Sequence, residues 1–362
     1  MAEDFTVGVE EEFCIVDAAS GELRPVAEQV LPLAQEVLGE RVESELNRAQ
    51  IETGTEVCST LAEVRAALER SRRLLREAAG RAGCSVVSSG SHPTASPDES
   101  EITPGKERYR LLEREFQAVA REQLVNGCHV HVGISDPDLA VDVLNRTRPW
   151  LATLVALASN SPFWSGADTG YASYRTEVWS RWPLTGMPEE LASRVEYDEL
   201  ISALQAAEAL PDATFLYWDV RPSARYETLE FRAADACLSV DDAVLLAGLW
   251  RGLARSSAAD ARAGVPLPRL RAELYQAARW RAARYGVGGT LVDLTDGHTA
   301  PARQVVSRLL AHLRPALEED GDWEEIAGLV QRSLGGGNGA VRQRAALARR
   351  GRMADVLALL LA

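Results

Sequence analysis

The segment GCHVHVGI at 127–134 sets His129 and His131 against Cys128, Val130, Val132 and Ile134 in strict alternation. Successive side chains of a strand point to opposite faces, so this reads as a strand with one apolar face and one face bearing two imidazoles. The chain has only five histidines, and two of them fall here. Three further segments show the same arrangement. In FTVGVEEEFCIVD at 5–17, Glu10, Glu12 and Cys14 oppose Val7, Val9, Phe13 and Ile15, and Glu11 falls in the apolar register, which suggests a bulge. Gln50, Glu52, Gly54 and Glu56 alternate with Ile51, Thr53, Thr55 and Val57. In YETLEFR, Thr228, Glu230 and Arg232 oppose Glu227, Leu229 and Phe231.

If these strands share one sheet, helices cover its apolar side and the other side is a concave surface dense in carboxylates. Crowded carboxylates repel unless cations neutralise them. Oxygen donors with an occasional imidazole suit Mg2+ or Mn2+, and several such ions together suit phosphoryl chemistry. Such a floor needs arginines for phosphate and carboxylate oxygens, because the guanidinium fork matches both; Arg175, Arg221, Arg225 and Arg232 lie in the candidate strands and the loop near them. A solvent-facing sheet alternates acidic and apolar residues too. Four strands carrying H-x-H and E-x-R among them favour a site. Glu11 and Glu227, in apolar registers, read as structural partners, His92 as a loop hydrogen-bonder, and His298 and His312 as ordinary surface or helix histidines.

The elements that must position these groups follow along the chain. Helices are expected near 26–38, over 61–79 behind a Thr60/Glu63 capping box, over 106–121 and over 138–159. Extended segments are expected over 42–58, at 84–88 and as two strands around a turn within 213–233. A long Gly/Ser/aromatic loop, NSPFWSGADTGYASYRTEVWSRWP, follows residue 159. From about 241 the chain reads as mostly helical, with the glycine-rich break GGGNGA at 335–340 separating the last two helices. The simplest organisation is one domain over 1–362. A net charge of −14 argues against nonspecific nucleic-acid binding and against an anionic membrane surface. The start MAEDFTVGVEEEF lacks a basic and an apolar region, so no signal peptide is expected, and VLALLLA near the end is too short to span a bilayer. Five scattered cysteines read as reduced core thiols of a cytoplasmic protein. No P-loop, H-E-x-x-H or G-x-S-x-G is present.

GVEEEFCIVD, QIETGTEVC, GCHVHVGI, NSPFW with GYASYR, and ETLEFRAAD occur in that order. Together they resemble the YbdK-like carboxylate–amine ligases, the type 2 glutamate–cysteine ligase family of the glutamine-synthetase-like fold. The resemblance covers nearly the whole chain. It implies an α+β fold in which an antiparallel sheet forms an active-site funnel backed by helices. It implies ATP and two or three divalent ions as cofactors, with small-molecule carboxylic acid and amine substrates joined through an acyl phosphate. By motif, Glu10, Glu12, Glu45, Glu52, His129 and Glu230 resemble metal ligands, and His131 a residue beside the phosphates. Arg175 and Arg232 resemble binders of substrate carboxylate or phosphate, Arg221 and Arg225 nucleotide-phosphate arginines, and Asn160 a substrate-side residue. Cys14 stands where many relatives carry a polar residue, so it is expected to shape the substrate pocket. GGGNGAVRQR is expected to close over the nucleotide through Arg342 or Arg344, and a homodimer is the expected assembly. A guanidino-type phosphotransferase on the same sheet and a non-catalytic ATP or metal sensor are the alternative readings.

Overall fold

A computed structural model describes residues 5–362; the first four residues, part of the segment read above for a signal peptide, lie outside the described residues. The chain opens with β1 (Val7–Asp17), α1 (Ala27–Leu38), β2 (Val42–Ser44) and β3 (Gln50–Gly54), then α2 (Leu61–Arg81) and β4 (Cys84–Val87). The expected single extended stretch over 42–58 is instead a hairpin. Its turn is organised by Asn47, whose side chain accepts from Ala49 N at 2.8 Å while its carbonyl accepts from Gln50 N, a local bonding habit of Asn. The capping box at the start of α2 is present, with Glu63 N donating to Thr60 Oγ1 at 3.2 Å.

Next come α3 (Glu107–Phe116), α4 (Ala118–Arg121), β5 (Gly127–Gly133), α5 (Pro137–Thr147) and α6 (Leu151–Ala158). Two expected helices are thus each split. Gln117 takes a left-handed φ of 48° between α3 and α4. Between α5 and α6, Pro149 sits in a 3-10 turn, where its ring supplies no N–H to an i→i−4 bond. The loop region holds β6 (Phe163–Trp164), β7 (Ala167–Asp168), α7 (Tyr174–Trp179), β8 (Thr185–Gly186), α8 (Arg194–Ala206) and β9 (Tyr217–Trp218). Then follow β10 (Val220–Pro222), β11 (Thr228–Asp235), α9 (Val240–Arg262), α10 (Ala272–Tyr285), β12 (Thr290–Asp293) and β13 (His298–Pro301). The helices α11 (Ala302–Asp320), α12 (Trp323–Gly336), α13 (Gly339–Arg350) and α14 (Met353–Leu361) end it. The β12–β13 hairpin interrupts the expected helical stretch; its Asp296-Gly297 turn, with Gly297 at φ 77°, is a hairpin signal in the sequence. The glycine-rich break separates α12 from α13, and α14 follows as a further helix. Among the described residues, no helix is long and apolar enough to cross a membrane.

The main sheet runs β10-β11-β5-β1-β3-β2, antiparallel throughout, with β4 also paired to β1. β1 is its centre: Val7–Glu11 pair with β5, Glu10–Cys14 with β3, and Cys14–Asp17 with β4. One face of the sheet is apolar. Val7, Val9, Cys128, Val130, Val132, Leu229 and Phe231 are buried there in one cluster with Leu61, Val64 and Leu68 of α2 and Trp250 of α9. Phe231 stacks on Trp250 at 4.1 Å between ring centroids.

Glu11 lies on that apolar face, fully buried, and the expected bulge in β1 is absent: the register runs unbroken through Glu11 opposite Thr53 and Cys128. Arg72 of α2 resolves the misfit. It grips Glu11 bidentately at 2.6 and 3.0 Å and donates to the carbonyls of Cys237 and Leu238. The bulge sits instead in β11, where the register with β5 shifts between Phe231 and Ala234. Removing one partner of a buried ion pair strands the other charge, so Arg72→Ala is expected to destabilise the fold by about 3–5 kcal/mol in urea titration. The double substitution Glu11→Leu/Arg72→Met is expected to recover most of that loss, because neither charge then remains buried.

Candidate active site

The polar face of the sheet brings the four sequence segments into one cavity of about 920 Å3. Register decides who meets whom. Glu10 lies opposite His129, Glu12 opposite Glu52, and Glu52 opposite Glu43 on the far strand. On the other side, His131 lies opposite Glu230, and Glu230 opposite Arg221. The side chains then converge. His129 Nδ1 is 3.4 Å from Glu10 Oε2 and its Nε2 is 3.8 Å from Glu12 Oε1. His131 Nε2 is 3.4 Å from Glu10 Oε1, and its Nδ1 is 2.8 Å from Thr228 Oγ1. Glu12 accepts from Gly127 N at 2.6 Å, and Glu45 accepts from Leu46 N at 2.5 Å.

Electrostatics separates the acids into two kinds. Burial and the charge of Glu45 push Glu12 up to about 8. Glu52 is raised well above the usual carboxylate range by burial and by the charges of Glu10, Glu45 and Glu12, and burial also raises Glu45. Burial opposes ionisation of Glu10 as well, but hydrogen bonds from His129 and His131 hold it well below its ordinary value. Glu230 is likewise held low against burial by Arg232, Arg221 and His131. Burial and the nearby Arg232 charge push His129 down to about 4, whereas hydrogen bonding to Glu10 outweighs burial and raises His131.

Among the described residues two ligand sets emerge: Glu10, Glu52 and His129, and Glu10, His131 and Glu230, each with donor atoms within 4.8 Å of one another. Glu10 belongs to both. His131 Nε2 is buried and faces Glu10 Oε1. Carboxylates with an imidazole are a donor set that fits Mg2+ or Mn2+. Glu12 and Glu45 line the same cavity beside these sets.

The arginines divide too. Arg175 is buried and lines the cavity; its Nη atoms make long bonds to the carbonyls of Arg232 and Ala233 at 3.3 and 3.5 Å, and its Nε has no partner. Arg232 pairs with Glu230. Arg221 is committed: it holds Glu230 at 2.8 Å and donates to the carbonyls of Thr214 and Leu216 at 2.9 and 2.6 Å. Arg225 is exposed on the β10–β11 turn at the cavity rim.

Four expectations of placement do not hold. Cys14 is not in the cavity lining: it is fully buried, accepts from Asn126 Nδ2 at 3.0 Å, and burial lifts its thiol to about 12. The strand has passed under the Gln50–Asn126 hydrogen bond by that point. Asn160 is buried outside the cavity, bonded to the carbonyls of Ser88 and Ala236. Arg342 pairs with Asp242 and Arg344 with Asp168, so neither reaches over the cavity. His92, in contrast, is the loop hydrogen-bonder expected, accepting from Ala95 N and bonded to the Gly21 carbonyl at 2.9 Å. Sequence reasoning missed Lys106, which lines the cavity and donates to the Ser44 carbonyl at 3.0 Å. It is the only lysine in the chain, a signal that was available. Tyr109, Trp179 and Tyr217 also line the cavity, from segments with no acidic alternation to mark them.

The architecture is that of the glutamine-synthetase-like ligases. A Francisella tularensis glutamate–cysteine ligase solved with AMP superposes with a TM-score of 0.69 at 12% identity, over 99% of this chain and 88% of that one. A bifunctional glutathione synthetase from Pasteurella multocida gives a TM-score of 0.69 at 16% identity, this chain spanning 52% of its length. The sequence pattern of glutamate-cysteine ligase family 2 (GCS2) matches residues 6–358, and this chain belongs to that family of ATP-dependent ligases. A Frankia alni protein provisionally named glutamate–cysteine ligase 2-2 is 45% identical over 98% of this chain and 96% of its own length. A Mycolicibacterium smegmatis protein with the same provisional name is 44% identical over 99% of this chain and 89% of its own.

Glu12 and Glu52, whose folded values lie above the ordinary carboxylate value, favour the fold when protonated. The contribution of Glu12 to stability is full below its unfolded value and is lost as pH rises through about 8, and that of Glu52 is lost with rising pH in the same sense. Cation binding needs them ionised and displaces protons. Mn2+ is therefore expected to raise the melting temperature more at about pH 8.5 than at about pH 6. Glu52→Gln is expected to raise the cation-free melting temperature at the higher pH and to remove most of the Mn2+ response.

Proposed function

We propose that this chain is an ATP-dependent carboxylate–amine ligase that forms an amide through an acyl phosphate, with L-glutamate as the acid and L-cysteine or a related amine as acceptor. The observation that carries the reading is the single cavity in which two carboxylate–imidazole ligand sets share Glu10 and stand beside the partly uncommitted Arg175. Divalent ions held by Glu10, Glu52, His129, His131 and Glu230 would offset the charge on the ATP phosphates.

In the first step an oxygen of the substrate carboxylate attacks the γ-phosphorus, and the bond to the β-phosphate oxygen breaks, releasing ADP. The amine nitrogen then attacks the acyl carbon, the carbon–oxygen bond to phosphate breaks, and the nitrogen gives up a proton as the amide forms. Arg175 retains donors for a second carboxylate of the acid and so fixes its orientation. His131 would serve as a neutral ligand through Nε2, with its Nδ1 bonded to Thr228 Oγ1 at 2.8 Å. Arg232 keeps Glu230 ionised and adds a second cation. Arg221 acts behind Glu230, fixing the carboxylate in place. Arg225, on its exposed turn, is free to follow the nucleotide into the rim. The guanidinium and carboxylate groups do the positioning, and the chemistry of transfer belongs to the phosphoanhydride.

Phosphate release from ATP, measured with Mg2+, L-glutamate and a panel of amines that includes L-cysteine, is expected to require both acid and amine. Mass detection is expected to find the amide. Glu230→Ala is expected to lower the rate on the order of 10²-fold or more, since it removes a ligand and frees two buried arginines. Arg175→Lys is expected to raise the acid KM by roughly tenfold, because an ammonium cannot replace a bidentate fork. A phosphorylated product that persists without amide would instead identify a phosphotransferase, and ATP binding without turnover a sensor.

A further inference from the structure

Asp235 closes β11 just beyond the bulge, 1% exposed and outside the cavity. Its carboxylate gathers three donors from the long loop. Oδ2 accepts from Asn160 N and from Ser161 Oγ, each at 2.7 Å, and Oδ1 accepts from Ser173 Oγ at 2.7 Å. Two of these partners lead directly to Arg175. Ser161 Oγ accepts from Arg175 N at 3.0 Å, and Ser173 Oγ caps α7, the short helix that carries Arg175, by accepting from Thr176 N. Burial opposes the Arg175 cation, and the charges of Asp235 and Glu12 favour it.

The fit is close on both sides. A Cβ at Gly90 would lie 2.6 Å from Asp235 Cγ, and one at Gly127 would lie 2.5 Å from Arg175 Nη2. The C-terminal helices join from behind. Gln343 of α13, fully buried, donates to Asn160 Oδ1 at 2.8 Å and to Asn160 O and Ser89 Oγ at 3.0 Å. Ala340 N bonds the Ser159 carbonyl at 3.0 Å, and a Cβ at Gly339 would fall 2.0 Å from Asn160 Oδ1. The glycine of the GGGNGA segment is what lets α13 approach the loop.

We propose that Asp235 is a positioning residue for Arg175, and that Gln343 extends this support from α13, making the C-terminal helices a working part of the subsite that holds the substrate carboxylate. The inference rests on the reading of Arg175 given above. Asp235→Asn keeps size and shape but turns an acceptor toward donors with an amide N–H, which misplaces the loop without entering the cavity. In the full-length protein, with folding checked by circular dichroism and melting, it is expected to raise the KM for L-glutamate roughly tenfold or more, the scale of a lost hydrogen bond to a charged group. The KM for ATP and kcat at saturating acid are expected to stay within about twofold. Gln343→Leu is expected to move the same constant in the same direction by less, and it carries the test if Asp235→Asn fails to fold.

The decisive readout is the double-mutant cycle with Arg175→Lys. Positioning predicts that Asp235→Asn costs little once Arg175 is already replaced. Additive effects, or an acid KM unchanged in both single variants of the support, would overturn the inference while leaving the ligase reading intact. Calorimetric binding of L-glutamate in the absence of turnover separates the two failures. A wild-type protein that binds and turns over no acid removes the ligase reading, and this inference falls with it.

Discussion

Mutual repulsion of buried carboxylates is the constraint around which this molecule is arranged. Glu10, Glu12, Glu45, Glu52 and Glu230 share one cavity, and each pays the desolvation cost that burial imposes on a charge. The fold answers at each strand in a different way. Toward β11, arginines and His131 keep Glu230 ionised; toward β3, burial and the charges of Glu10, Glu45 and Glu12 outweigh the pull of Arg232, and Glu52 is pushed toward its neutral form. The imbalance runs across the sheet from a side that is already neutralised to a side that is short of positive charge. A bound cation relieves the short side, so its stabilising effect and its catalytic placement arise from the same deficit.

Such a face is tolerable only on a rigid support. β1 supplies it by pairing with three strands along its length, so Glu10 sits mid-sheet between β3 and β5, and Glu12 faces β3. The Glu11–Arg72 pair pins α2 to the same strand from behind. The one buried acid on the apolar face of β1 is thus neutralised by the chain itself. On the cavity side the acids are left for a ligand. The consecutive run Glu10-Glu11-Glu12 therefore serves two opposite purposes, and the pleat alone assigns them.

Much of this was legible in the sequence because period-two alternation is a local property. The apolar faces of β1, β5 and β11 and the acids, histidines and arginine opposite them could be read from residue order. The register could not, and register decides that Glu10 meets His129 and Glu230 meets His131. Glu11 is legible as a structural partner but not as an unbulged one, because its counterpart, Arg72, lies 61 residues away on a helix. Arg221 looked like a free cation until the carbonyls of Thr214 and Leu216 were seen to occupy it. Cys14 keeps the alternation of Glu10 and Glu12 but lies past the point where Gln50 and Asn126 roof the strand. The β12–β13 hairpin was missed although Asp-Gly announced it, because its flanking strands are four residues each and set between helices.

The two arginines on Glu230 and the one on the Asp235 support illustrate how the same side chain is given different freedom. Arg221 has its fork filled by a carboxylate and backbone carbonyls, which fixes Glu230 but leaves little for a ligand. Arg175 has its backbone fixed and its fork nearly empty, with Trp179 beneath the guanidinium at 5.7 Å and only long bonds to carbonyls. A cation meant to receive a substrate needs that combination. Its position must be set by bonds that do not consume its donors, since every donor spent on the protein is lost to the ligand. The serines and the buried aspartate behind α7 meet that need by holding the main chain and supplying charge from outside the cavity. The long loop and the C-terminal helices, which carry no candidate metal ligand of their own, are in this way coupled to the chemistry of the sheet.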